Sequence, residues 1–219
     1  MISDLYSRGQ LEDLRNLYRD VSRWTFTGSL AIFLVTVLLA KDIMAVFGPE
    51  FVSGWVAMVV VAGAQLFSSS VGHTGRILAM TGHQNTVMLA TFGSGATSIA
   101  ASVALVPFYG MLGAGVAMAG GLVLQNSVTL VRVRQVLGVW PYNREYLKPL
   151  IAGLLAASVS FLLRSLAPAL TGLLAVGVFA PLFLVGFVGL LLVFGLNPSD
   201  RQLIAALWTA VRRTAGRNS

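Results

Sequence analysis

From Ile77 to Val131 the chain carries no Asp, Glu, Lys or Arg. A soluble domain cannot hide so long an uncharged stretch, because a folded chain of modest size leaves much of its surface in water. A helix crossing roughly 30 Å of hydrocarbon needs only about 20 residues. The stretch is therefore too long for one crossing. Pro107-Phe108-Tyr109-Gly110 divides it, since proline and glycine punctuate helices. Two spans are expected, near residues 86–106 and 112–131.

The same reading extends to the rest of the chain. Trp24 through Ala40 is uncharged and opens a first span at 24–47, closed by Gly48-Pro49. A second covers about 52–74, a fifth 149–166 before Pro168, and a sixth 170–195. Composition agrees: 56% of residues are hydrophobic and 11% charged, against about 25% charged in soluble domains. The mean hydropathy is +0.81. A transmembrane barrel is excluded, because its strands alternate polar and apolar over about ten residues and these runs do not.

Both ends read as amphipathic helices lying on the membrane. Over residues 3–23, Leu11, Leu14, Tyr18 and Val21 share one face, with Arg15, Arg19 and Asp20 off it. Near the other end Ser199 and Gln202 have the form of a capping box. The helix they open, with Leu203, Leu207 and Val211 on one side, is too short and too charged to span. The first residues are polar and lack the apolar core of a signal peptide, so insertion is expected to rely on the internal spans. The fold class is an all-α integral membrane protein with about six transmembrane helices. Its organisation is a cytoplasmic interfacial helix (1–23), four spans (24–131), a basic cytoplasmic loop (132–148), two further spans (149–195) and a cytoplasmic amphipathic tail (196–219).

Charge sets the orientation. Of the 15 Lys and Arg, all but Lys41 and Arg164 fall in residues 1–23, 75–85, 132–148 and 196–219. Basic residues favour the cytoplasmic side, so both termini are expected there, in the cytoplasmic membrane. The net charge of +7 does not point to nucleic acid, because no basic stretch is interleaved with aromatics.

Little in the chain resembles catalytic machinery. Cysteine is absent, which excludes disulfides and thiolate chemistry. All eight acidic residues lie outside the apolar cores, whereas hydrolysis or glycosyl transfer usually needs positioned carboxylates or a metal. His73 and His83 have no further metal-ligand candidates near them in sequence. The glycine-rich stretches match neither a dinucleotide fingerprint nor a phosphate-binding loop. No enzyme, cofactor or metal site is expected.

The second span carries the polar signal. Gln65, Ser69, Gly72 or His73, and Arg76 recur at helical spacing and form a stripe. A charge deep in a bilayer costs roughly 3 kcal/mol or more and usually faces protein or a hydrated cavity. Two readings fit: a helix lining a positively charged cavity for an anion such as a phosphate, or Arg76 snorkelling to the headgroups while the others bond neighbouring helices. Gly93 and Gly95, with the Gly113, Ala117 and Gly121 row, permit close helix approach, for packing or for sliding. Gln125, Asn126 and Ser127 fit a cavity or packing equally.

The order of these features resembles a known family. Leu17-Tyr18 and Arg23-Trp24-Thr25-Phe26 precede Ser29-Leu30-Ala31-Ile32-Phe33; then come Val46-Phe47-Gly48-Pro49-Glu50-Phe51, Met80-Thr81-Gly82-His83-Gln84 and Leu105-Val106-Pro107-Phe108-Tyr109-Gly110-Met111-Leu112-Gly113-Ala114. Over residues 1–165 this is similar to the C-terminal half of oligosaccharide flippases of the polysaccharide biosynthesis family, within the multidrug/oligosaccharidyl-lipid/polysaccharide exporter superfamily. The resemblance implies a transporter moving polyprenyl-phosphate-linked glycan across the cytoplasmic membrane by alternating access, through a basic cavity. Arg76 and Lys41 are the basic residues here that fit such a cavity. It also implies that an N-terminal lobe and two further helices are missing. The chain is then a portion or half of a larger transporter, with membrane lipids, that lobe or glycan-assembly enzymes as partners. A multidrug exporter of the same superfamily and a non-transporting membrane scaffold are the alternatives, with a glycan polymerase or ligase behind them.

Overall fold

The computed structural model describes residues 11–138 and 140–194. The expected C-terminal amphipathic helix, with Ser199 and Gln202, and residues 3–10 of the expected N-terminal one lie outside the described residues. Helices make up nearly all of what is described, with no strand among the described residues. In chain order they are α1 (Leu11–Leu38), α2 (Ala40–Phe47), a 3-10 turn (Pro49–Gly54), α3 (Trp55–Val71), α4 (Thr74–Met80), α5 (Gln84–Leu137), a 3-10 turn (Arg144–Tyr146), α6 (Leu147–Leu166) and α7 (Gly172–Val193).

Five of the described helical stretches are long and apolar enough to cross a membrane. Between 11% and 33% of each is covered by the rest of the protein. Their outer faces, such as Phe92, Val103, Val185 and Val193, are left exposed. Surfaces of this kind need an apolar solvent. The architecture is all-helical and of the membrane-spanning type.

Residues 11–23, expected as a separate interfacial helix, run without interruption into the first span as α1. The middle of their apolar face is covered by protein, while Val21 stays exposed. Leu14 and Tyr18 are buried, and Tyr18 packs with Ile77, Leu78 and Val133. Tertiary cover supplied by α4 and α5 removes any reason for the chain to turn at Trp24.

The 54 residues of α5 are two limbs joined at Gly110, whose φ of 52° and ψ of −127° leave the helical region. A positive φ favours glycine, and the turn sits there rather than at Pro107, which stays in the last turn of the first limb. The limbs lie antiparallel against each other. Ser98 Oγ donates to the Ala117 carbonyl at 3.0 Å, and Gln125 Nε2 donates to Thr91 Oγ1 at 3.1 Å. A Cβ on Gly113 would lie 2.5 Å from the Leu105 carbonyl oxygen, and one on Gly121 2.9 Å from Ser98 Cβ. The small-residue row thus packs limb on limb.

The remaining helices close around α1. Leu30 and Leu34 meet Ala152 and Ala156 of α6 and Phe183 and Phe187 of α7 in one buried cluster. Contacts sort the connections into two ends. One end gathers Met44, Gly54 and Met111, together with Asp42, Arg164 and Gly172. The other gathers Tyr18 and Val71, Thr74 and Thr129, and Arg19 with the Trp140 carbonyl.

At the first end one buried carboxylate ties three segments. Asp42 is 5% exposed. Its Oδ1 accepts the Gly172 N–H at 3.0 Å, and its other oxygen pairs with the Arg164 guanidinium. Arg164 Nη1 also donates to the Leu38 carbonyl at 3.4 Å. Removing one partner of a buried pair strands the other, although Arg164 keeps 26% of its side chain exposed, which softens the penalty. Asp42→Asn is expected to lower stability by about 2 kcal/mol, read as an earlier unfolding midpoint in detergent micelles. Arg164→Met on that background should recover part of the loss. An unchanged midpoint in the single variant would show that the pair contributes nothing.

Candidate functional site

The last carbonyls of any helix lack an intrahelical partner, and α3 stops at Val71 between α1 and α5. The carbonyls of Ser69, Ser70 and Val71 each find a donor. Tyr18 OH donates to the Val71 carbonyl at 2.6 Å, and Tyr146 OH to that of Ser70 at 3.4 Å. The Gly72 N–H bonds back to Ser69 at 3.2 Å, and Ser70 Oγ to Phe67 at 2.7 Å. Ser70 Oγ also lies 3.1 Å from Tyr142 OH. Tyr142 packs edge-on against Tyr146 and Trp140, and Phe26 lies against Tyr146. Arg23, buried beside them, sits 3.9 Å from the Glu145 carboxylate.

Gly72 makes the break possible. Its φ of 75° and ψ of −160° suit glycine, and a Cβ there would run into Ser22 Oγ. The chain re-enters a helix at Thr74, whose hydroxyl meets that of Thr129 at 2.9 Å. This contact fixes α4 to the second limb of α5.

Beyond the break, His73 and Arg76 line a cleft of about 160 Å³ whose walls are Leu14, Leu17, Tyr18, Val21 and Ile77. Both are exposed. Among the described residues no carboxylate pairs with Arg76. A guanidinium beside an apolar cleft suits an amphiphile with an anionic head, because its planar fork matches phosphate oxygens. Among the described residues no three of His, Cys, Asp and Glu gather as a metal site would require.

The expected polar stripe is interrupted. Because α3 ends at Gly72, Gln65 and Ser69 do not share a continuous helical face with Arg76. Gln65 is exposed on α3. Ser69 is buried and accepts a bond from Ser29 Oγ at 2.8 Å. Asn126 Nδ2 turns back on its own helix, to the Leu122 carbonyl at 2.8 Å. Lys41 lies at the opposite end, its Nζ 5.3 Å from the centre of the Trp55 ring. The structure thus brings His73 and Arg76 into one cleft, keeps Ser69 near the break, and leaves Gln65, Asn126 and Lys41 elsewhere.

Sequence reasoning missed the tyrosines that cap the break and the Asp42–Arg164 pair. A signal for each was present. Tyr142 and Tyr146 stand four apart at the start of a span, where aromatic residues favour the interface. Asp42 and Arg164 are unlike charges in loops assigned to one side and nearly free of other charges.

No family model, curated protein or solved structure matches the chain.

Gly72→Ala should destabilise the fold by about 3 kcal/mol, from positive-φ strain and the collision with Ser22. Adding Ser22→Gly should restore the steric share. Unfolding midpoints of the three variants in micelles check this, and a Gly72→Ala protein as stable as wild type contradicts the close approach.

Proposed function

We propose that the chain is part of a membrane transporter, the C-terminal portion of a flippase moving lipid-linked oligosaccharide across the cytoplasmic membrane for surface polysaccharide biosynthesis. The observation that carries the reading is the capped break at Gly72, beyond which His73 and Arg76 line an apolar cleft. Polyprenyl-phosphate-linked glycans combine a long hydrocarbon with an anionic head, and the cleft combines apolar walls with a guanidinium. The break also leaves α3 and α4 joined by two non-helical residues, so one can tilt without dragging the other, as alternating access requires.

In this reading each limb of α5 crosses the membrane once, making six crossings with both termini cytoplasmic. The grouping of connections into two ends supports it. Lys41 and Arg164 belong to the end that holds Asp42, while Arg19, Arg23 and Arg134 belong to the end that holds Trp140 and Glu145. The excess of basic residues at the second end fits a cytoplasmic position. The ion pair of Asp42 and Arg164 then lies on the outer side and joins the helices at that end. The remainder of the transporter, which the family resemblance implies, supplies the opposite wall of the pathway.

Deleting the gene should reduce delivery of lipid-linked glycan to the outer leaflet, measured with an impermeant glycan-modifying reagent on intact cells. Wild type should restore delivery, and Arg76→Ala should restore at most about a tenth of it, a loss of roughly 1.4 kcal/mol of anion stabilisation. Full delivery by Arg76→Ala removes the cleft from the mechanism. Normal delivery in the deletion strain overturns transport itself.

A further inference from the structure

A second concave feature lies on α5 and shares no lining residue with the cleft at Gly72. It is a furrow of about 500 Å³ between the two limbs, with Ala90 and Ser94 as its buried floor and Leu89, Leu124 and Val128 as its lips. Two of its hydroxyls are engaged by their own helix: Ser94 Oγ donates to the Thr91 carbonyl at 3.0 Å and Thr97 Oγ1 to that of Gly93 at 2.8 Å. The wall is effectively apolar. Gly93 leaves it open, since a Cβ there would meet nothing within 4 Å.

One end of the furrow is charged. Arg132 closes it beside Thr86, and a shallower hollow continues past Arg132 to Gln135. Arg132 Nη1 donates to Gln135 Oε1 at 3.3 Å, and among the described residues no carboxylate neutralises it. This is the end of the bundle that carries Arg19, Arg23 and Arg134, so the guanidinium stands at headgroup level.

The length of the furrow limits what fills it. From Thr86 to Thr97 is eleven residues of helix, a rise of about 16 Å. One leaflet contributes about half of a 30 Å core, or about 15 Å. The furrow therefore runs from the headgroup level to the bilayer midplane and stops. A helix from a partner would continue across the midplane, and a soluble anion has no use for the apolar length.

We infer that this furrow is a docking site for one anionic phospholipid of the adjoining leaflet, its phosphate on Arg132 and one acyl chain along Leu89, Leu124 and Val128. The inference does not depend on the transport reading. Occupancy by such a lipid holds the two limbs at fixed spacing, and through Thr129 and Thr74 it supports α4.

The test uses the full chain in phosphatidylcholine nanodiscs with a trace of chain-spin-labelled phosphatidylglycerol or phosphatidylcholine. The motionally restricted fraction should favour phosphatidylglycerol by about fivefold at low salt, as expected for one basic residue near the surface. Arg132→Gln should bring the two lipids to near parity. Arg134→Gln, whose guanidinium stacks 4.9 Å from the Trp140 ring, should leave the preference intact. Gly93→Phe, whose Cβ would meet nothing within 4 Å and whose ring would occupy the furrow, should lower the restricted fraction for both lipids. Millimolar inorganic phosphate should displace nothing. A preference that survives Arg132→Gln, falls equally with Arg134→Gln or yields to free phosphate overturns the proposal. So does efficient dimer cross-linking through Leu124→Cys in this cysteine-free chain, because a second copy would then fill the furrow.

Discussion

A helix that ends inside a protein must find partners for its last carbonyls, because each one buried without a donor costs about 1–3 kcal/mol. That constraint governs the region around Val71. The donors that satisfy it come from distant parts of the chain: Tyr18 on α1 and Tyr146 at the threshold of α6. Neither tyrosine reaches α3 unless the bundle is assembled, so the break at Gly72 is a property of the whole fold. The cleft holding His73 and Arg76 inherits its position from those two hydroxyls. A continuous helix through residue 72 would have turned both side chains onto a different face.

The two limbs of α5 solve a related problem by other means. Their facing surfaces offer no hydrophobic gain in lipid, whose tails are as apolar as the limbs themselves. Close backbone approach takes its place. Gly113, Ala117 and Gly121 let the limbs meet near the turn, and Ser98 and Gln125 bond across the seam. Toward Arg132 the limbs are separated by the furrow, although Thr129 still bonds to Thr74. One hairpin thus has a dry, tight half and an open half, set by where its small residues lie.

Much of this was legible in the residues, and the exceptions share a cause. Uncharged runs marked where the later apolar helices lie, whereas the first, expected at 24–47, begins at Leu11 and is interrupted at Leu39; the division of Ile77–Val131 near Gly110 followed from glycine and proline alone. Those are local signals. The continuity of α1 past Trp24 was not legible, because Leu14 and Tyr18 are covered by α4 and α5 rather than by headgroups. The polar stripe of α3 failed at Gly72 because spacing assumes an unbroken helix, and the break depends on hydroxyls supplied from elsewhere. His73 and Arg76 were named from their chemistry, yet their cleft is built by Leu14, Leu17 and Val21, of which sequence marked Leu14 and Val21 only as part of an interfacial stripe. Tertiary partners, not propensity, account for each difference.

The tie between Asp42 and its partners also bears on the order of events during synthesis. Asp42 emerges directly after α1, whereas Arg164 and the Gly172 amide arrive only after α3, both limbs of α5 and most of α6 have been made. Until then the carboxylate must stay wet, and α2 cannot settle against α7. The first turn of the bundle is therefore completed by nearly its last, so that a chain halted after α5 carries an acid with no counter-charge.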